Sequence, residues 1–136
     1  MYLIVHPTQS LLPDMSVPAS KPETQRAILT ASLGQGISRI SNDLRCLETD
    51  TMKNACRQLG AHIEECDGYL EVKGFGRNFK KDLLVIDSKG SGLVFRTMSA
   101  ICSTRNAPTI LTGDSTLRRR VMKPLFSSLE DRKSVV

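Results

Sequence analysis

Basic side chains and glycines stand at three places where the sequence indicates that a helix begins or a strand ends. Lys21 and Arg26 belong to the first segment, Gly92 and Arg96 to the second, and Arg120 to the third. A helix N-terminus carries unpaired backbone N–H groups and about half a positive charge, so it favours phosphate or carboxylate. Spacing alone also fits an ordinary capped helix or a solvated turn, and both interpretations stay open at this point.

The second and third segments have features of their own. In segment 85–96, Gly90 and Gly92 allow the backbone to turn sharply and to approach a ligand. This is not a Walker loop, because no Gly-Lys-Ser/Thr follows. The three consecutive arginines 118–120 are costly to pack together unless water or an anion faces them. Their side chains point in different directions, so at most one or two of them can serve one ligand.

The elements that must position these residues follow from capping signals and apolar periodicity. Ser20-Lys-Pro-Glu23 predicts a capping box at the start of a helix that ends at Gly34. Its apolar side would comprise Ala27, Ile28, Ala31 and Leu33, and that of the next helix Met52, Ala55, Cys56 and Leu59. The patterns predict strands at 3–5, 11–17, 36–40, 82–86 and 109–112, a hairpin over 62–72 around Asp67-Gly68, and further helices at about 48–59, 93–101 and 122–129.

The second half of the chain repeats the order of the first. A shift of 70 residues places Arg26 on Arg96, Ile40 on Ile110, Met52 on Met122 and Leu59 on Leu129. These identities, together with the matching element order, indicate an internal duplication. The counterpart of hairpin 61–73 would occupy 131–143, and the sequence stops within it at Val136, so we expect the sequence to be a piece of a longer protein.

Composition narrows the class of partner. The chain has 136 residues, enough for one domain, and 19 Lys+Arg against 14 Asp+Glu give a net charge of +5. That excess favours anionic partners. Single-stranded nucleic acid binders usually offer stacking platforms, and this chain has no Trp, two Tyr and four Phe. Small anionic molecules are therefore favoured over nucleic acid.

Other classes are disfavoured by what the sequence lacks. No apolar run approaches the roughly 20 residues that span a bilayer, so we expect no membrane partner and a cytoplasmic location. The four cysteines form no CxxC pair, so we expect neither a zinc site nor another metal site.

The three segments, taken in order, resemble motifs of the enolpyruvyl transferase family. They read Pro18-Ala-Ser-Lys-Pro-Glu-Thr-Gln-Arg-Ala27, Lys89-Gly-Ser-Gly-Leu-Val-Phe-Arg96 and Gly113-Asp-Ser-Thr-Leu-Arg-Arg-Arg-Val-Met122. The stretch 48–60 between them looks like the second helix of that family. The likeness covers nearly the whole chain.

The resemblance implies an α/β (α+β) fold of six similar βαβαββ units, an inside-out α/β barrel in two globular domains with substrates between them. This chain would supply about two of the six units. Residues 1–18 would form strands of the other globular domain, 19–73 the first unit, and 74–136 an incomplete second unit.

The reaction that the resemblance implies is transfer of the enolpyruvyl group of phosphoenolpyruvate to the 5-hydroxyl of shikimate 3-phosphate, with release of phosphate. This is a step in aromatic amino acid biosynthesis. By position, Lys21 would be catalytic and would contact both substrates, and Arg26 would bind the shikimate carboxylate. Gly92 and Arg120 would hold phosphoenolpyruvate.

The same resemblance assigns supporting roles to Glu48, which replaces a family aspartate, and to Arg96. It implies no metal and no organic cofactor. The carboxylates for acid–base catalysis would come from the second domain, the remainder of the enzyme, so the fragment alone is expected to be inactive.

Four positions depart from the family pattern. Pro22 stands where the family has a serine that contacts the shikimate phosphate, and proline offers neither hydroxyl nor N–H. Gly90 replaces an asparagine, Leu93 a threonine, and Val121 a proline. Two alternatives therefore remain: an enolpyruvyl transferase that uses a different hydroxyl acceptor, and a non-catalytic anion-binding module.

Overall fold

The computed structural model describes residues 2–7, 10 and 14–131, and it contains five helices and five strands within those residues. The α/β fold class expected from the sequence is confirmed. In chain order the elements are α1 (Lys21–Leu33), β1 (Ile37–Ser41), α2 (Leu47–Leu59), β2 (His62–Cys66), β3 (Tyr69–Lys73), β4 (Leu84–Asp87), α3 (Gly92–Cys102), β5 (Thr109–Thr112), α4 (Ser115–Arg118) and α5 (Lys123–Asp131).

The strands form two separate sheets. The first has the order β1-β3-β2 and is antiparallel throughout, with Ser41 and Cys66 both opposite Tyr69. Its hairpin turns at Gly68, whose φ of +77° is one that side chains rarely adopt, as the Asp67-Gly68 signal predicts. The second sheet pairs β4 with β5 in parallel, and Val85 lies opposite Ile110.

The two longest helices differ in how well their inner faces were predicted. On α2 the expected residues Met52, Ala55, Cys56 and Leu59 are all buried. On α1, Ile28 is buried, but Ala27 is only partly covered, and Thr24, Gln25 and Ser32 are buried beside it. The prediction of an apolar inner face on α1 was therefore wrong in part, because these polar groups find hydrogen-bond partners inside the fold.

Helix α1 has Ser20 at its N-cap, but the predicted capping box does not form. The Ser20 hydroxyl accepts no N–H of the first turn: Pro22, the second helical residue, has none, and that of Glu23, the third, is not bonded to it. The Thr24 hydroxyl instead donates to the Ser20 carbonyl at 2.9 Å. At the start of α2, the Cys46 N–H donates to the Thr49 hydroxyl at 3.0 Å.

A shift of 70 residues places three elements of the first half over elements of the second. It moves α1 to 91–103, over α3; β1 to 107–111, over part of β5; and α2 to 117–129, over the end of α4 and most of α5. Strand β4 has no such counterpart, because residues 14–17 lack regular structure. The strand prediction at 3–5 was wrong: Leu3, Ile4 and Val5 have no regular structure and are 68–85% exposed. Within predicted strand 11–17, residues 14–17 also lack regular structure, and 11–13 lie outside the described residues. None of the described strands pairs with residues 3–5 or 14–17, and a strand needs such a partner for its backbone.

The sequence also missed one short element. Helix α4 begins after Asp114, whose carboxylate accepts the Leu117 N–H at 2.8 Å. The sequence patterns predict no separate element between 113 and 121, and the Asp114 cap stabilises the short helix found there. Among the described residues, no helix is long and apolar enough to cross a membrane.

Candidate anion-binding site

The first residue of α3 lies beside two guanidinium groups. A Cβ built on Gly92 would lie 2.8 Å from Nη1 of Arg120 and 3.3 Å from Nη1 of Arg96. Both arginines are exposed, and neither forms an ion pair within the described part of the chain. Two forked cations at a helix N-terminus are an arrangement that suits a phosphate or carboxylate.

Each arginine reaches Gly92 for a local reason. Arg96 is four residues further along α3, and helical side chains lean toward the helix N-terminus, so its guanidinium points back over Gly92. Arg120 follows α4, and its N–H donates to the Leu117 carbonyl at 3.0 Å. The buried Leu117 side chain anchors α4, and α4 therefore fixes the position of the Arg120 backbone.

Two glycines bring the third segment against the second. The Asp114 N–H donates to the Lys89 carbonyl at 2.8 Å, which joins the turn before α3 to the turn before α4. A Cβ on Gly113 would lie 2.7 Å from that carbonyl oxygen, and a Cβ on Gly90 would lie 2.9 Å from Oδ2 of Asp114. Neither turn has room for a side chain at these positions, so glycine permits the close approach.

Lys21, the first residue of α1, pairs with Glu48 in the first turn of α2. Nζ of Lys21 lies 2.7 Å from Oε1 of Glu48. The hydrogen bond to Glu48 raises the pKa of Lys21, and the hydrogen bond from Lys21 lowers the pKa of Glu48. The Cys46 thiol, beside the same carboxylate, also lowers the pKa of Glu48. Lys21 is therefore a cation throughout the neutral range.

Gln25 connects the first segment to the second, and the sequence analysis did not identify it. Its Nε2 donates to the Glu48 carbonyl at 3.0 Å and to the Ser91 hydroxyl oxygen at 3.2 Å. Ser91 is the N-cap of α3, where its oxygen also accepts the Val94 N–H at 3.3 Å. The one available signal was position: Gln25 is four residues after Lys21 and so shares its helix face.

Not every predicted site residue joins this cluster. Arg26 is exposed on α1, and no hydrogen bond or ion pair within the described residues links it to Gly92 or Arg120. Pro22 is exposed in the first turn of α1. The other predicted residues are connected by contacts through Gln25 and Ser91. They are Lys21, Glu48, Gly92, Arg96 and Arg120.

Metal-ligating side chains do not gather in the part of the chain that the structure describes, where no three His, Cys, Asp or Glu residues could hold an ion together. The four cysteines are free thiols. One of them, Cys56, is fully buried, and burial raises its pKa to about 11. The arginine side chains and the backbone N–H groups at the start of α3 can bind an anion.

Comparison with known proteins gives one family. The family described as EPSP synthase (3-phosphoshikimate 1-carboxyvinyltransferase) matches residues 5–133. The chain is 37% identical over 122 residues to the 3-phosphoshikimate 1-carboxyvinyltransferase of Chlamydia felis and 39% identical over 123 residues to that of Chlamydia caviae. Each match covers 90% of this chain and 27% of the relative.

A solved structure has the same fold. EPSP synthase from Acinetobacter baumannii superposes with a TM-score of 0.79 at 21% identity, over 89% of this chain and 28% of that one. The chain therefore spans about a quarter of the length of the relatives that it matches.

Proposed function

The chain belongs to the EPSP synthase family, and from that premise we propose that it forms part of an enolpyruvyl transferase. The reaction moves the enolpyruvyl group of phosphoenolpyruvate to the 5-hydroxyl of shikimate 3-phosphate and releases phosphate. The observation that carries the proposal is the convergence of Arg120 and Arg96 on Gly92 at the start of α3. Both substrates are phosphorylated intermediates of aromatic amino acid biosynthesis, so we also propose a cytoplasmic location.

Phosphoenolpyruvate would bind against Gly92. The absence of a side chain lets the Arg120 and Arg96 guanidinium groups come close to the first turn of α3, and Arg120 would hold the ligand there with its forked N–H groups. Unpaired N–H groups in the first turn of α3 add to the attraction for an anion. Arg96 would support the same subsite from the next turn of the helix.

Lys21 would contact both substrates and stabilise the charge that develops at the reacting centre. An ammonium group has three N–H donors, so Lys21 can keep its bond to Glu48 and still donate to substrate oxygens. Glu48 would orient the ammonium group and keep it protonated. Arg26, exposed on the same helix, would bind the carboxylate of shikimate 3-phosphate.

The proposal assigns the acid–base carboxylates to the second globular domain, outside these residues. Residues 1–18 would pack with that domain, residues 19–73 would form the first unit, and 74–136 part of the second. The exposure of Tyr2, Leu3, Ile4 and Val5, at 68–89%, supports the first assignment, because apolar side chains in a row usually have a covering partner. The 136 residues alone would then not turn over.

A second candidate keeps the phosphoenolpyruvate subsite and changes the acceptor. Pro22 offers neither hydroxyl nor N–H in the first turn of α1, and Leu93 is an apolar residue in the first turn of α3. These two residues favour an enolpyruvyl transferase that acts on a different hydroxyl compound. A third hypothesis is a non-catalytic anion-binding module, which would bind an anion at Gly92 and would not transfer an enolpyruvyl group.

The test begins with the intact mass of the native gene product. A mass about three times that of this chain would support a two-domain transferase; a mass near 15.0 kDa would favour the binding module. Phosphate release from phosphoenolpyruvate is then measured in the complete protein with shikimate 3-phosphate and with a panel of other hydroxyl acceptors. The proposal predicts turnover with shikimate 3-phosphate that Lys21→Ala abolishes and Arg119→Ala preserves. No turnover with that acceptor would overturn it, and turnover with another acceptor would establish the second candidate.

A further inference from the structure

We infer that Gln25 is a positioning residue that sets the separation between Lys21 and the subsite at Gly92. The expected effect on the rate rests on the proposed function. The link between the helices rests only on the hydrogen bonds of the structure. No substrate contact is assigned to Gln25, because its side chain is 2% exposed.

The Gln25 amide nitrogen has two hydrogens, and the structure gives each of them an acceptor. One acceptor is the Glu48 carbonyl at 3.0 Å, and the other is the Ser91 hydroxyl oxygen at 3.2 Å. Burying an amide without such partners costs free energy, so an apolar side chain would suit this position better if packing were its only role. The buried amide therefore indicates that this position needs hydrogen bonds that hold the neighbouring helices in a defined orientation.

Both acceptors lie next to groups assigned to the reaction. The Glu48 side chain holds Lys21 at 2.7 Å, and its own backbone carbonyl is held by Gln25. Ser91 precedes Gly92 and caps α3, the helix whose first turn lies beside the Arg120 guanidinium. One amide thus ties α1, α2 and α3 together at their N-terminal ends.

Sequence separation explains why such a tie is needed. Gln25 and Ser91 are 66 residues apart, one in each repeat. The two repeats share no continuous sheet within the described residues. The Lys80 N–H also donates to the Leu59 carbonyl at 3.2 Å, but that bond lies at the opposite end of α2 from Glu48. Without Gln25, the helix ends that carry Lys21 and Gly92 would be held together chiefly by packing, which resists sliding less than a directed hydrogen bond. A displacement of about 1 Å between reacting groups lowers a rate about 100-fold.

The test is Gln25→Met in the complete protein, which keeps the length of the side chain and removes both donors. We expect kcat/KM to fall by about 10- to 100-fold, with the larger share in kcat, because Lys21 acts in the transition state. Ser99→Ala is the matched control. Its buried hydroxyl bonds the Phe95 carbonyl of its own helix at 2.8 Å, so this variant should keep its kcat.

A double-mutant cycle separates positioning from simple destabilisation. Ser91→Thr retains an acceptor oxygen and should keep most of the activity. Ser91→Ala should lose activity, and the pair Gln25→Met with Ser91→Ala should lose less than the product of the two single losses. The inference would be overturned if the activity loss of the double variant equalled the product of the two single losses, or if Gln25→Met kept its full kcat.

The inference can fail independently of the proposed function. If the wild-type protein transfers no enolpyruvyl group, the proposed function fails, and amide hydrogen exchange at Val94 still reports on the link. Gln25→Met should speed that exchange at least several-fold, because Ser91 caps the Val94 N–H while it is itself held by Gln25. Exchange equal to wild type would show that Gln25 does not hold Ser91.

Discussion

The position that a Cβ on Gly92 would occupy is 2.8 Å from Nη1 of Arg120, although the two residues belong to different segments of the chain. Real Cβ atoms essentially never approach another group so closely. A side chain at this position would therefore displace the flexible end of Arg120, because the φ of Gly92 is not in the left-handed region and the backbone itself would accept another residue. This relationship leads to the first prediction.

Gly92→Ala should fold normally and bind phosphoenolpyruvate less tightly. The new methyl group pushes the Arg120 guanidinium away and takes up space that a small anion needs. We expect KM for phosphoenolpyruvate to rise about ten-fold or more while KM for the hydroxyl acceptor changes less. Steady-state kinetics of the complete protein measure both values.

Gly34→Ala is the control for that variant. A Cβ on Gly34 would lie 3.4 Å from the Ala31 carbonyl oxygen, an ordinary contact at the end of α1. Its KM values should match those of the wild type. An unchanged KM for phosphoenolpyruvate in Gly92→Ala would contradict a subsite at this position.

The Lys21–Glu48 pair should make stability depend on pH in a defined direction. The pKa of Glu48 is lowered in the folded state, so its contribution is present above the ordinary glutamate pKa of 4.5 and is lost as the pH falls. The pKa of Lys21 is raised, so its contribution is lost only as the pH rises above 10.5. Glu48→Gln should therefore lower Tm at neutral pH and converge with the wild type in acid. Thermal unfolding between about pH 7 and pH 3 measures this, and the exposed Glu130→Gln is the control, expected to keep the Tm of the wild type at neutral pH.

Cys56 should be the least reactive thiol of the native chain. It is fully buried, and burial raises its pKa to about 11, so almost no thiolate is present at neutral pH. A thiol reagent followed by peptide mass analysis should label the half-buried Cys66 in the native protein and label Cys56 only after denaturant is added. Rapid native labelling of Cys56 would show that α2 opens readily.

Arg105 should be a structural arginine. Its guanidinium is buried and donates to the Lys80 and Asp82 carbonyls at 2.6 and 2.9 Å, which holds the segment before β4 against the end of α3. Arg105→Met leaves those carbonyls without this donor and should lower the free energy of unfolding by about 2–4 kcal/mol. Urea denaturation gives the value, and the exposed Arg118→Met should change it by no more than about 0.5 kcal/mol. Equal effects of the two variants would count against the structural role.

Local sequence patterns accounted for most of the elements. The α2 face with Met52 and Leu59 and the turn at Gly68 both follow from patterns among residues close in the chain. The strand predicted at 3–5 shows the limit of this approach, because a strand depends on partners that its own sequence does not contain.

The sequence by itself determined which residues were available at the candidate site: Lys21, Gly92 and Arg120 were identified from their types and from the segments that carry them. Only the tertiary structure decided that Arg96 points at Gly92 beside Arg120 and that Gln25 joins α1 to the start of α3. The reason is physical. Periodicity and capping act over a few residues, whereas Gln25 meets Ser91 across 66 residues, and that contact exists only once the helices have packed.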